Sequence, residues 1–154
     1  EEYGISSFVY CSRKPFHPYR FWRYVQHLFP STIIRSKGLF WLASRPEQAL
    51  IWGQAGNSLR ADSAGVWWSS MPYSQRMRYI SFVENQKEIE SDWSEQFGDR
   101  KNEIVFIGQD MDEKSIRREL DECLMTEEEL HTEDWKNGYK DDWTVRRAYA
   151  LSEN

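Results

Sequence analysis

Strand-like and helix-like hydrophobic patterns alternate along this chain, and together they predict five strands and three helices. The segment YGISSFVYCS at residues 3–12 is rich in β-branched and aromatic side chains and predicts the first strand. Three further segments of this kind follow one another closely, and strands with such short connections should pair antiparallel. They cover residues 32–43, 48–54 and 58–69. Gly38 is expected to mark a bulge or a close approach of two backbones.

Helical periodicity marks the segment between the first two strands. Pro18 fits the first position of a helix, where its missing N–H costs nothing, and Pro30 ends that helix. The apolar face of this helix consists of Phe21, Val25, Leu28 and Phe29. A second helix is predicted across about residues 73–93, where the apolar positions are spaced more loosely.

The final predicted elements are a strand followed by a helix. EIVFIG at residues 103–108 is a continuous apolar run, which is typical of a strand that is buried on both faces. Asp112 then caps an amphipathic helix. Its buried stripe consists of Ile116, Leu120, Cys123 and Leu124. Thr126 and Glu129 form a capping box that opens one more short turn.

The order β-α-β-β-β-α-β-α predicts an α+β fold. The economical arrangement is a split βαβ, ferredoxin-like unit with two layers, in which helices lie on one face of a mostly antiparallel sheet of four to five strands. The folded domain is expected to span residues 1–130. Residues 131–154 carry Trp135, Trp143 and many charges with no clear period, and this acidic tail is expected to be loosely packed or disordered.

Composition narrows the protein class. The chain has 154 residues, which suits one domain, and 16 % of them are aromatic, which argues against disorder. No apolar run approaches the ~20 residues of a membrane helix, and no secretory signal is visible. Cys11 and Cys123 do not make a disulfide scaffold, which favours free thiols in the cytoplasm, with a bridge between them as a minor alternative. The first residue is Glu1, which suggests a piece of a longer protein.

Charge is unevenly distributed along the chain. Residues 1–60 hold eight basic and three acidic side chains, and residues 61–154 hold twelve basic and 22 acidic ones. Arg35 and Lys37 should share one side of a strand, and with Arg13 and Arg20 they form either a docking patch or only a polar sheet edge. Nucleic acid is not an expected partner, because the chain is acidic overall and lacks a dense basic stripe.

Motifs that carry chemistry are missing from the sequence. It contains no P-loop, no dinucleotide-binding glycine pattern and no H-E-x-x-H zinc motif. The best local pair is Cys11 with His17, since a histidine beside a thiol can make a nucleophile or a metal ligand. The alternative is that His17 only caps or packs the proline-rich turn. A small metal- or ligand-binding enzyme domain using Cys11 and His17 therefore stays open as a second hypothesis.

Several strings, in this order and spacing, resemble one known family. They are ISSFVY-x-SRKPFHP-x-RFW, IRSKGLFWLA, WGQAG, GVWW, FGDRKNEIVFIGQDMD and LDECLMTEEE. From residue 3 to about residue 130 the chain resembles the CobW C-terminal domain, the second domain of the CobW and zinc-regulated GTPase metallochaperones. The long connection between GVWW and FGDR is similar to that of the zinc-responsive branch. Cys11 departs from the arginine that is frequent in the family.

The resemblance implies a division of labour between two domains. In the family, an N-terminal domain carries a P-loop for GTP with magnesium and a C-x-C-C metal motif, and neither motif occurs here. We therefore expect no GTP, magnesium or zinc site in this chain and no catalysis by it. The implied function is that of an interaction or regulatory domain that recognises a client metalloprotein or relays the nucleotide state. The implied partners are the N-terminal GTPase domain of the same protein and that client.

Six side chains are candidates for contacting such a partner. They are Arg13, His17, Arg20, Arg35, Lys37 and Arg100.

Overall fold

The computed structural model describes residues 4–132 and 140–145, and its centre is a five-stranded sheet. The strands are β1 (Ile5–Ser12), β2 (Ile33–Phe40), β3 (Gln48–Ala55), β4 (Ser58–Val66) and β5 (Asn102–Gln109). The order across the sheet is β1-β5-β2-β3-β4, and every neighbouring pair is antiparallel. Because β5 lies between β1 and β2, these two strands run in the same direction, so the predicted α+β fold with a split βαβ unit is confirmed.

Five α-helices in the described ranges connect or follow the strands. They are α1 (Pro18–Arg23), α2 (Tyr73–Arg76), α3 (Ile80–Ser91), α4 (Glu113–Glu122) and α5 (Glu127–His131). A π-helical turn, Tyr24–Leu28, extends α1, and a 3-10 turn, Trp68–Ser70, precedes α2. None of the helices in the described ranges is long and apolar enough to cross a bilayer.

One face of the sheet forms the main core with α1 and α4. Phe8, Tyr10 and Trp52 from the strands pack in one buried cluster with Phe21 of α1 and Leu120 of α4. Aromatic rings dominate this cluster, and each brings a large apolar surface to it. The predicted caps are confirmed, since Asp112 accepts a hydrogen bond from the Ser115 N–H, and Thr126 and Glu129 close a capping box.

Two predicted helices differ from the structure. The helix expected to run as far as Pro30 widens into the π-helical turn, and the extra residue in that turn moves Leu28 off the apolar face, so that it is 63 % exposed. The helix expected over residues 73–93 divides into α2 and α3. The break allows Tyr73 and Phe82 to contact each other, with ring centroids 6.4 Å apart.

The strand read as buried on both faces is buried on one face only. In β5, Ile104 and Phe106 are fully buried, whereas Val105 and Ile107 are each 39 % exposed. Their exposure shows that no described element lies over that part of the sheet. A continuous apolar run cannot by itself distinguish a covered face from an uncovered one.

Gly38 marks a close approach between two strands. A Cβ at this position would collide with the backbone oxygen of Glu103 and would lie 2.6 Å from the Cα of Ile104. The irregularity of β2 lies elsewhere, between Ile33 and Arg35.

Part of the segment expected to be loose is packed into the core. Trp143 is 5 % exposed, its Nε1 donates to the Pro18 carbonyl at 3.0 Å, and its ring lies 5.3 Å from that of Phe21. Asp141 accepts hydrogen bonds from Arg45 Nε at 2.9 Å and from the Ser44 hydroxyl at 2.6 Å. Loose packing is therefore the wrong description of residues 140–145. Residues 133–139 and 146–154 lie outside the described ranges, and the boundary at residue 130 stays a prediction.

Candidate functional site

The face of the sheet turned away from α1 and α4 is largely uncovered. Alternation along the strands places the odd-numbered residues of β1, β3 and β5 on this side, together with those of β2 from Arg35 onward, and we call it the open face. Four of the apolar side chains on it are 39–44 % exposed: Ile5, Val9, Val105 and Ile107. Grouped apolar residues on an uncovered sheet are typical of a binding surface.

Strand register sets two rows of side chains across the open face. In the first row, Val9 of β1 pairs with Val105 of β5, which pairs with Lys37 of β2. In the second row, Ser7 is opposite Ile107, which is opposite Arg35. Directly opposite side chains in antiparallel strands lie within contact reach. Each row therefore passes from an apolar centre to a cation.

A shallow groove continues these rows towards β4. It has a volume of about 380 Å³, and its lining includes Arg35, Lys37, Gly53 and Arg60. Gly53 contributes to the depression because it has no side chain, and the space that a Cβ would enter has no other atom within 4 Å. Arg60 pairs with Asp62 on the same strand at 3.2 Å, which partly neutralises its charge.

Arg35 and Lys37 differ from the other predicted binding residues. Neither side chain makes a hydrogen bond or an ion pair with any residue in 4–132 or 140–145. An exposed cation that pairs with none of the described residues is available to an acidic group of another domain or protein.

Arg13 and Arg100 instead hold the segment between β4 and β5. Arg13 forms an ion pair with Asp92 at 2.8 Å and donates to the Gly98 carbonyl at 3.0 Å. Arg100 donates to the Pro46 carbonyl at 2.6 Å and to the Ser69 hydroxyl at 2.9 Å, and burial lowers its pKa. Both cations therefore have a structural function.

Arg20 and His17 lie on the helical side of the sheet. Arg20 binds Glu129 through two hydrogen bonds and the Leu124 carbonyl through a third. His17 is buried and caps α1, since its Nδ1 accepts from the Arg20 N–H at 3.2 Å. Burial, reinforced by the Arg20 charge, lowers the pKa of His17. The structure does not gather Arg13, Arg20, Arg35 and Lys37 into one basic patch.

Cys11 and His17 do not form a joint site. Cys11 is exposed on the open face, where its thiol donates to Glu103 Oε2 at 3.8 Å, whereas His17 is part of the helical layer. The sheet therefore separates Cys11 from His17, the two residues on which the second hypothesis depends. Cys11 and Cys123 are both free, so the alternative of a bridge between them is wrong. In the described ranges, no group of three or more histidine, cysteine or acidic side chains is placed to hold a metal ion.

A second cavity lies beside the π-helical turn. It has a volume of about 440 Å³ and is lined by His27, Phe29 and Gln54 among others. The amide of Gln54 is already used, because it accepts from the Ser36 hydroxyl at 2.6 Å and donates to the Gly56 carbonyl at 2.9 Å. Both polar atoms of the buried Gln54 amide are therefore already engaged inside the fold.

Sequence reasoning missed the apolar half of the open face. The strand segments that contain Val9, Val105 and Ile107 are rich in apolar residues, which is typical of buried strands. The available signal was the arrangement of the predicted helices, because helices on one face leave the opposite face of the sheet without a cover.

A family profile and several relatives were found for this chain by comparison with known proteins. The profile of the family described as cobalamin synthesis protein cobW C-terminal domain matches residues 5–124. The chain is 38 % identical over 133 residues to the zinc-regulated GTPase metalloprotein activator 1 of Dictyostelium discoideum, which covers 84 % of this chain and 27 % of that protein. It is 30 % identical over 139 residues to a protein named zinc chaperone from Mycobacterium tuberculosis, covering 87 % of this chain and 34 % of that protein.

Solved structures show the same fold. The Zn(II)-bound YjiA GTPase from E. coli superposes with a TM-score of 0.54 and 19 % identity, covering 79 % of this chain and 30 % of that one. At this identity the likeness concerns the fold alone. The chain thus spans about a third or less of the length of these relatives.

Proposed function

Because the chain belongs to the CobW C-terminal domain family, within the zinc-regulated GTPase metallochaperones, we propose that it is the non-catalytic interaction domain of such a protein. In this proposal the domain contacts an N-terminal GTPase domain of the same cytoplasmic protein and relays its nucleotide state to a client metalloprotein. GTP, magnesium and zinc bind in the GTPase domain.

The observation that supports this proposal most strongly is the chemistry of the open face. It combines exposed apolar side chains, such as Val105 and Ile107, with two cations that have no partner in the described ranges, Arg35 and Lys37. Binding surfaces typically join apolar anchors to charges that select the partner. The relatives that carry this domain are about three times as long, and two of them are named GTPases.

Calorimetry with separately produced domains tests the proposal. The chain is titrated into the GTPase domain of the same protein, loaded with GDP or with a non-hydrolysable GTP analogue. GTP binding by that domain verifies that it is folded. We expect micromolar or tighter binding, with affinities that differ between the two nucleotides. Equal absence of binding in both nucleotide states would contradict the proposal.

Two further measurements test whether the isolated chain hydrolyses GTP or binds zinc. The isolated chain should release no phosphate from GTP, and it should not bind zinc with sub-micromolar affinity. Either activity in the isolated chain would favour an independent enzyme or metal-binding domain instead.

A further inference from the structure

We propose that the open face is the surface that docks the GTPase domain, and that it recognises an acidic patch with apolar side chains at its centre. This inference rests on the proposed function and names the surface that performs it. It follows from three properties of the face: the placement of its charges, the size of its exposed area and the independence of its side chains from the fold.

The charges on this face contrast with those of the whole chain. The net charge of the chain is -5, so the chain as a whole repels an acidic partner. On the open face, Arg35 and Lys37 lie side by side on β2 without partners in the described part of the chain, and Arg60 lies across the groove. A partner with carboxylates is therefore attracted to this face although the chain as a whole is acidic, which favours one orientation during docking.

The apolar centre is aligned with these cations. Val105 is opposite Lys37, and Ile107 is opposite Arg35, in adjacent strands. A complementary surface would place apolar side chains over β5 and β1 and carboxylates over β2 and β3. Apolar burial would supply affinity, and the flanking charges would set the register.

The size of the face favours a partner domain of the same polypeptide. Four strands of about eight residues, at roughly 3.4 Å per residue and about 4.8 Å between strands, give a face of at most about 500 Å². Covering it from both sides buries at most about 1,000 Å². That value is typical of contacts between domains of one chain, about 600–1,500 Å², and below the roughly 1,600 Å² of stable complexes between separate proteins.

The segment between β4 and β5 limits the face at one end. Trp67 and Phe97 pack on Ala49, which alternation places on the same side as Gly53. Arg13 and Arg100 anchor this segment through the contacts described above. The docked domain therefore lies over the end of the sheet that carries Val105, Ile107, Arg35 and Lys37.

A charge-reversal variant tests the inference with the same calorimetric assay. Arg35→Glu with Lys37→Glu should weaken binding of the GTPase domain at least tenfold, and raising the salt concentration from 50 to 300 mM should weaken the wild-type complex. The matched control is Lys87→Glu with Lys114→Glu, which changes the charge equally on α3 and α4. We expect at most a twofold effect from the control. Circular dichroism verifies that both variants are folded.

The outcomes separate this inference from the proposed function. If the wild-type chain binds the GTPase domain and the Arg35→Glu, Lys37→Glu variant binds it equally well, the open face is not the docking surface, although the proposed function stands. An equal loss in the control variant also overturns the inference, because the effect is then one of total charge. Absence of wild-type binding overturns both proposals.

Sedimentation of the chain alone tests whether a second copy of the chain binds the open face instead. We expect a monomer at about 100 μM, since the face is small for a stable dimer. A dimer that dissociates in the Arg35→Glu, Lys37→Glu variant would assign the face to a second copy of the chain and overturn the inference.

Discussion

Arg20 on α1 and Glu129 on α5 are joined by two hydrogen bonds, of 2.9 and 2.7 Å, although 109 residues separate them in sequence. The hydrogen bonds from Arg20 are the largest influence on the carboxyl group of Glu129 and lower its pKa to about 2. In the unfolded chain the pKa returns to about 4.3. The ion pair therefore stabilises the fold above pH of about 4.3, and this stabilisation is lost as the pH falls towards 2.

Glu129→Gln should reduce the pH dependence of stability in that window. The variant should be less stable than wild type at pH 7, and the difference should shrink as the pH falls from 5 to 2, because the wild-type carboxylate then becomes protonated. Urea unfolding at several pH values measures this difference. Glu128→Gln, at an exposed position of the same helix, is the control. It should leave the pH dependence of the free energy of unfolding unchanged. A difference that stays constant with pH would contradict the linkage.

Trp143→Ala should destabilise the domain by about 3–5 kcal/mol, as is usual when a buried aromatic side chain is removed. The substitution leaves a void beside Phe21 and removes the donor to the Pro18 carbonyl. Chemical unfolding followed by circular dichroism measures the loss. Thr144→Ala, at the exposed neighbouring position, should change stability by less than about 0.5 kcal/mol. A loss below about 1 kcal/mol for Trp143→Ala would show that this segment does not contribute to the core.

Gly38→Ala and Gly53→Ala should have opposite effects on stability. At position 38 the new methyl group meets the backbone of β5, which cannot move without separating the strands, so we expect a loss above about 3 kcal/mol or failure to fold. At position 53 the methyl group enters open space, and a gain of up to about 1 kcal/mol is expected from the stiffer unfolded chain. Thermal unfolding of the two variants distinguishes these effects. A similar small effect at both positions would contradict the close approach at Gly38.

The two cysteines should differ in reactivity. Cys11 is exposed, although partial burial and the neighbouring Glu103 raise the pKa of its thiol, whereas burial raises the pKa of Cys123 to about 12. Because the thiolate is the reactive form, a disulfide reagent should modify one thiol in the native protein and two after denaturation. Cys11→Ser should abolish the native reaction. Rapid modification of both thiols in the native state would mean that the end of α4 opens readily.

Local patterns predicted most of the fold. The five strands and the caps of α4 and α5 each depend on residues near one another in sequence, where spacing and side-chain chemistry are decisive. The buried position of Trp143 could not be predicted in this way. Its segment has no helix or strand, and it is anchored by Arg45 and Pro18, far earlier in the chain.

The candidate site was only partly predictable for a related reason. Which cation is available to a partner depends on the internal partners of the others. Those partners are distant in sequence, as with Arg13 and Asp92 or Arg20 and Glu129. The sequence placed Arg35 and Lys37 on one side of a strand, but it could not show that this side is uncovered or that apolar residues of β5 lie beside them.

The central position of β5 has a consequence for biosynthesis. Cys11 and Glu103, which pair across β1 and β5, are 92 residues apart, so β1 and β2 leave the ribosome long before the strand that joins them. Until residue 109 has emerged, the two strand edges that β5 later fills, one on β1 and one on β2, stay unpaired, and unpaired edges are sites of premature association. Stalled or truncated products that end before Asn102 should therefore depend on chaperones to remain in solution.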